Sequence, residues 1–309
     1  MKQNEDRVDD CGRNTACSTC EETECDAARK DHHADKLLKM RLRMDAISNK
    51  IMVMSGKGGV GKSTVAANLA VALARRGYKT GLLDADIHGP NIPKLLGLED
   101  GRLLGSPEGI LPIEPMPGLK VVSVAYVLDT PDTPVIWRGA MKHGVIRQFL
   151  GEVAWGELDV LIVDLPPGTG DEPLSVAQSI ENTDGSIIVT TPQDVALLDS
   201  RKSIAFSKKI GLPVLGVVEN MSGLICPHCN KTIDMFIPGG GEAAAHEMGV
   251  AFLGRIPADP AVMQGGDAGV PFAGEKANGG AASAFEEIVD RIEQNLKPAD
   301  PKRYGHGGD

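Results

Sequence analysis

No run in the 309-residue chain approaches the roughly 18 consecutive apolar residues of a membrane-spanning helix, which excludes a helical integral membrane protein. The start, Met1-Lys2-Gln3-Asn4-Glu5-Asp6, lacks the apolar stretch of a secretory signal, and the C-terminus carries no lipidation pattern. A cytoplasmic location without a membrane partner is therefore expected. Positive charge is also scarce: 32 Lys and Arg against 42 Asp and Glu leave a formal net charge of −10, which argues against a nucleic-acid partner. Aromatic residues make up only 4%, whereas 37 Gly and 20 Pro imply many tight loops around an aliphatic core. Cysteine is absent over the whole span 26–225. Its six copies fall into two groups, Cys11, Cys17, Cys20 and Cys25 near the start and Cys226 with Cys229 far downstream. Such clustering in a reducing compartment favours metal over disulfides.

What is present is an alternation. Apolar strands at 51–54, 80–83, 120–125, 160–163, 186–190, 214–219 and 251–254 are separated by helical periodicity near 63–76, 139–153, 172–181, 194–210, 241–248, 259–266 and 279–296. Strands apolar on both faces and separated by helices predict an α/β fold: a doubly wound, mainly parallel sheet with helices on both faces. Right-handed crossovers then gather the loops after the strands along one carboxyl edge. Residues 1–45 are too polar to form a core without a bound metal and read as a flexible or cluster-stapled leader. Residues 46–296 form the main domain, in which the Gly- and Pro-dense stretch 97–118 is an irregular excursion or short hairpin. Residues 297–309 read as a disordered tail.

Between the first strand and its helix lies Gly56-Lys57-Gly58-Gly59-Val60-Gly61-Lys62-Ser63-Thr64. Small residues here let successive backbone N–H groups turn inward as an anion nest at the positive end of a helix. Lys62 then meets the β- and γ-phosphates of ATP, and Ser63 places its hydroxyl on Mg²⁺. Lys57 has no place in its own nest and must point outward, where it can reach another chain. The pattern resembles the deviant P-loop ATPases, which include the septum-site and plasmid-partition ATPases, the arsenite pump ATPase and nitrogenase iron protein. That resemblance implies that Lys57 crosses a nucleotide-sandwich dimer to the partner's phosphates.

Two strands run into carboxylates. Gly81-Leu82-Leu83-Asp84-Ala85-Asp86 offers a pair, and the resemblance assigns Asp86 the hydrolytic and Mg²⁺-side role, with Asp84 second. Leu161-Ile162-Val163-Asp164 places Asp164 where it can hold Mg²⁺ through water opposite Ser63. The loop that follows, Leu165-Pro166-Pro167-Gly168-Thr169-Gly170, has the constrained residues of a γ-phosphate switch. Asn220, ending another strand, has an amide suited to the donor and acceptor edge of adenine. Pro257 and Asp259 stand where related ATPases close over the base.

Cys226-Pro227-His228-Cys229 admits three chemistries. A redox dithiol needs a helix after the pair, whereas Asn230-Lys231-Thr232-Ile233 and a glycine run follow. Zinc needs four ligands and an iron–sulfur cluster about four thiolates, and one chain supplies two, with His228 a conceivable third for zinc. A two-fold homodimer would complete either shell across its axis. The leader's Cys11-x5-Cys17-x2-Cys20-x4-Cys25 supplies four thiolates from one chain, enough for a cluster, with zinc or no metal as the alternatives.

Val135-Ile136-Trp137-Arg138-Gly139, Asp164-Leu165-Pro166-Pro167-Gly168-Thr169-Gly170-Asp171 and Glu219-Asn220-Met221-Ser222 leading into the Cys-x-x-Cys pair together resemble the Mrp/Nbp35 family of iron–sulfur cluster carrier ATPases, from about Lys50 to Leu296. Ala140 departs from the proline many relatives carry there. The resemblance implies a slow ATPase and homodimer that holds a labile [4Fe–4S] cluster between paired Cys226 and Cys229. Its expected partners are cluster assembly factors and apo iron–sulfur client proteins. A partition or positioning ATPase of the same fold with a structural zinc site is the alternative.

Overall fold

Alternation of side chains along a strand sends successive residues to opposite faces, so a strand apolar at every position must be covered on both sides. The computed structural model, which describes residues 26–128, 139–226, 229, 231–233, 236–237, 239–273 and 280–298, builds this arrangement. Its elements in chain order are α1 (Asp26–Asp45), β1 (Ile47–Met54), α2 (Lys62–Arg75), β2 (Thr80–Asp84), α3 (Ile92–Leu95), β3 (Leu104–Ser106), β4 (Gly109–Leu111), β5 (Ile113–Met116), β6 (Leu119–Ser123), α4 (Gly139–Glu152) and β7 (Leu158–Asp164). They continue with α5 (Asp171–Ser179), β8 (Gly185–Thr190), α6 (Asp194–Lys209), β9 (Val214–Ile225), β10 (Thr232–Ile233), α7 (Gly240–Glu247), β11 (Phe252–Ala258), α8 (Pro260–Asp267) and α9 (Gly280–Glu293).

Strands β11, β9, β8, β1, β7, β2 and β6 lie side by side in that order, every pairing among them parallel. These are the seven strands expected from the apolar runs. The antiparallel pieces are additions at the margins: β5 on β6, β10 on the far end of β9, and the separate hairpin β3–β4 inside the Gly- and Pro-rich stretch. In β1, Ile51 and Val53 join a core with α2 and α9, while Met52 and Met54 join the opposite core with residues of α1, α4, α5, α6 and α7. The fold is the doubly wound, mainly parallel α/β sheet.

The leader differs from its sequence reading over the part the structure describes. Residues 26–45 are helical, Met44 is buried in the second core, and Arg43 donates to the carbonyls of Val153 and Glu108. Arg41 adds a bidentate pair to Glu181, Nε at 3.0 Å and Nη2 at 2.9 Å. The described end of the chain is likewise fastened, since the Lys297 N–H donates to Asn49 Oδ1 at 2.8 Å beside the start of β1. Cys11, Cys17, Cys20, Cys25, Val135 to Arg138, Pro227, His228 and residues 299–309 lie outside the described residues.

Candidate functional site: a phosphate loop and a cysteine hairpin on one sheet edge

Parallel strands end on the same side, so the loops after β1, β2, β7, β8, β9 and β11 converge. The loop 55–61 turns from β1 into α2 with Gly59 and Gly61 in left-handed conformations, φ 79° and 84°. Two glycines are required by close approach. A Cβ on Gly56 would fall 2.3 Å from the Asp199 carbonyl carbon of α6, and one on Gly61 would fall 2.1 Å from Asn220 Nδ2. At Gly58 and Gly59 a Cβ would meet nothing within 4 Å, so this side of the loop is open, as an anion cradle must be.

Four of the expected residues meet at the mouth of the cradle. Lys62 is 5% exposed, with Nζ 2.7 Å from Asp164 Oδ1 and 3.6 Å from Asp86 Oδ2. Ser63 Oγ donates to Asp164 Oδ2 at 2.6 Å. The lysine and the hydroxyl that the sequence reading gives to phosphate and Mg²⁺ are thus both clasped by one carboxylate, a donor set that fits Mg²⁺–nucleotide. Asp86 also accepts from the Gly89 N–H at 3.3 Å, which shapes the loop after β2.

Asp84 behaves differently. It lies opposite Asp164 in the β2–β7 register, is fully buried, and accepts from Ser123 Oγ at 2.8 Å and from the N–H groups of Asp86 and Ile92. Burial, reinforced by the Asp164 charge, pushes its carboxyl up to about 8. Burial raises the Asp164 carboxyl as well, against the pull of the Lys62 ammonium and the Ser63 hydroxyl. Asp84 organises the loop after β2 through these accepted hydrogen bonds, while Asp86 faces Lys62.

The proline–glycine loop after Asp164 is tied back by the Gly168 N–H, which donates to the Ser55 carbonyl at 2.8 Å. At its far end a cluster absent from the sequence reading joins the two switch-like loops. His88 Nε2 lies 3.0 Å from Glu172 Oε1 and 2.7 Å from Lys142 Nζ, and Lys142 pairs directly with Glu172. Burial alone would raise the Glu172 carboxyl, but the hydrogen bonds from Lys142 and His88 outweigh it and hold the group below its ordinary value.

Lys57 turns away from its own loop, Nζ donating to Gln193 Oε1 at 3.1 Å just before α6, whose first turns expose Val195 and Leu198. Gln193 was not read from the sequence, because a glutamine beyond a strand carries no local signal. Asn220 is buried, and its Nδ2 donates to the Val60 carbonyl at 2.9 Å, which commits one of the amide's two N–H donors to the phosphate loop. Asn220 pairs with Ile256 in the β9–β11 register, which sets Pro257 alongside, and Asp259 caps α8 by accepting from the Ala261 N–H at 2.9 Å.

Past Asn220 the parallel β9–β11 register is interrupted at left-handed Met221 and Gly223, φ 55° and 77°, resumes at Leu224 opposite Ala258, and β9 runs on to Ile225. The Cys226 N–H donates to the Lys231 carbonyl at 3.0 Å, and β10 returns antiparallel. The Cys-x-x-Cys pair therefore occupies the tip of a hairpin on the nucleotide edge, with Cys229 exposed. Among the described residues the next helix, α7, begins at Gly240, and a redox dithiol draws its acidity from a helix N-terminus at the pair. Among the described residues no group of three or more Cys, His, Asp or Glu could hold a metal.

The chain matches the ParA family profile described as NUBPL iron-transfer P-loop NTPase over residues 46–293. It is 50% identical over 281 residues to the iron-sulfur cluster carrier protein of Methanocaldococcus jannaschii, covering 91% of this chain and 96% of that protein. The cytosolic Fe-S cluster assembly factor NUBP2 homolog of Dictyostelium discoideum is 45% identical over 253 residues, 81% of this chain and 96% of its own. Among solved structures, a nucleotide-binding protein of Archaeoglobus fulgidus in complex with ADP, with cobalt found in it, superposes with a TM-score of 0.68 at 43% identity, covering 75% of this chain and 91% of that one. The cell division ATPase MinD of Pyrococcus furiosus superposes with a TM-score of 0.57 at 27% identity, covering 80% and 99%. The chain thus belongs to the iron-transfer P-loop NTPases.

Proposed function

We propose that the chain is an ATP-binding iron–sulfur cluster carrier that works as a homodimer, holding a labile [4Fe–4S] cluster between Cys226 and Cys229 of two copies and passing it to apo-proteins, with slow ATP hydrolysis. The observation that carries this reading is the hairpin: a phosphate-loop edge that also projects two thiols, with no third ligand beside them among the described residues. Four thiolates are needed and a two-fold axis supplies them. Ile233 in β10 is 48% exposed and Ile237, four residues on, is 87% exposed, apolar surface on the returning arm of the loop that a second copy would cover. The names of the carrier and assembly-factor relatives support the cargo.

In this reading Lys62 binds the phosphates, and Ser63 and Asp164 hold Mg²⁺, which supplies charge neutralisation on the phosphates. Asp86 orients the attacking water, and Lys57 leaves Gln193 for the partner's nucleotide. Asn220, Pro257 and Asp259 border the base. Cys11, Cys17, Cys20 and Cys25 supply a second, single-chain cluster site.

Anaerobic reconstitution with iron and sulfide tests this. Iron, acid-labile sulfide, zinc and molecular mass are measured for the parent, for Cys226→Ser/Cys229→Ser, and for a variant with all four leader cysteines replaced by serine. The leader variant should keep about four irons per dimer, and the 226/229 variant should lose them together with any metal-dependent dimer. Iron retained in full by the 226/229 variant, or a loaded leader variant that stays monomeric, sinks the proposal.

A further inference from the structure

Glu219 is fully buried just before the β9–β11 register is interrupted, and it meets both ends of the cysteine loop. On the outgoing side its Oε1 accepts from Ser222 Oγ at 2.6 Å. On the returning side its two oxygens accept from the N–H groups of Gly239 at 3.4 Å and Gly241 at 2.5 Å, at the start of α7. Arg255 of β11 donates to the same Oε1 at 3.2 Å and is held in turn by Glu242. A single carboxylate thus closes the base of the loop that carries Cys226 and Cys229. A Cβ on Gly241 would fall 2.8 Å from Glu219 Oε2, so the fit is tight.

The next residue points the other way. Strand alternation sends Asn220 to the α2 side, where it donates to the Val60 carbonyl and blocks any side chain at Gly61. The last straight dipeptide of β9 therefore has one side chain on the phosphate loop and one on the base of the cysteine loop. Beyond it, left-handed Met221 and Gly223 set the direction of the hairpin.

We propose that Glu219 is a positioning residue that, with Asn220, couples the phosphate loop to the cysteine hairpin, so that nucleotide occupancy changes the presentation of Cys226 and Cys229. This rests on the carrier reading for its purpose but not for its mechanism, which belongs to the metal-free chain. Hydrogen bonds to a buried carboxylate are short and directional, and displacing the β9 dipeptide from either side must be answered on the other. Arg255 stays paired with Glu242 when Glu219 is neutralised, so the substitution does not strand a charge.

The experiment is alkylation of metal-free protein by N-ethylmaleimide, followed at the Cys226/Cys229 peptide by mass spectrometry, with and without Mg²⁺–ADP. In the parent, ADP should change the rate at this peptide by at least about threefold. Glu219→Gln should bind ADP as the parent does and lose that dependence, and Ser222→Ala should reduce it. Should Glu219→Gln fail to fold, Ser222→Ala and Arg255→Lys provide the same comparison. A purely structural role would raise the rates equally with and without ADP and keep their ratio. That result, or a parent indifferent to ADP, overturns the proposal. Iron reconstitution of the same proteins separates the two readings: an ADP response lost in Glu219→Gln, in a parent that takes up no iron at 226 and 229, upholds the coupling and removes the cargo.

Discussion

The phosphate loop and the cysteine hairpin lie on the same edge of one sheet and could hardly be built more differently. The first is enclosed by packing: α6 presses on Gly56, Asn220 fills the space beside Gly61, and Lys62, Ser63, Asp86 and Asp164 engage one another behind the surface. The second is a two-residue strand, β10, laid antiparallel on the last residues of β9, with an exposed cysteine at the tip and exposed Ile233 and Ile237 on the returning arm. A site whose side chains already find partners within one chain can bind its ligand as a monomer. A site with two thiols and bare apolar neighbours is complete only when something else arrives. The contrast predicts nucleotide binding that a single chain achieves and the partner's Lys57 only tightens, and metal binding that requires a second copy.

The largest effect expected is from Lys62→Ala, which strikes the enclosed site at its centre. Nucleotide binding, followed by a fluorescent ADP analogue, should disappear, and turnover should fall at least about 100-fold. Removing one partner of a buried ion pair costs about 3–5 kcal/mol, here limited by protonation of Asp164, so denaturant unfolding should move as well. Next is Asp86→Ala, which leaves the Lys62–Asp164 clasp in place. ADP affinity should stay within a few-fold while hydrolysis drops about 100-fold; equal hydrolysis rates in parent and variant would assign the water-orienting role elsewhere. Smaller for the chain itself is Cys226→Ser/Cys229→Ser. With the pair at the hairpin tip, stability should change by no more than about 0.5 kcal/mol and ADP binding not at all, even as bound iron is lost. A large stability loss would mean that the hairpin is part of the core and would erase the contrast.

The same contrast explains what could be read from sequence. The seven parallel strands were legible because burial on both faces leaves a continuous apolar run, and the glycines of 56–61 because their spacing is imposed by the turn itself. Helix α1 was not, since its charged residues hide a docking side that rests on Met40 and Met44, with Leu37, Leu38 and Leu42 left exposed. Glu219 and the His88–Lys142–Glu172 cluster were missed for another reason. Their partners are up to 84 residues away, and a polar residue with distant partners leaves no periodicity. Asn220 was singled out for its amide, and one of its two N–H donors also holds the Val60 carbonyl, a contact that only the approach of β9 to the phosphate loop makes visible.

The subtlest effect belongs to Asp84, which faces Asp164 across the β2–β7 register. Its folded carboxyl titrates at about 8 against an ordinary 3.8. Between those values the folded chain holds a proton that the unfolded chain has released, so stability falls as pH rises from about 4 to about 8, by at most about 1.4 kcal/mol per pH unit. Asp84→Asn cannot ionise and should flatten that slope in urea unfolding of nucleotide-free protein in EDTA. The amide accepts the Ser123 hydroxyl but turns an N–H₂ toward backbone donors. That cost lowers the whole curve and leaves its slope alone, which is what separates lost titration from lost hydrogen bonding. Parallel curves for parent and variant would mean that the proton resides on Asp164, and that Lys62 is paired in the free protein with a neutral acid.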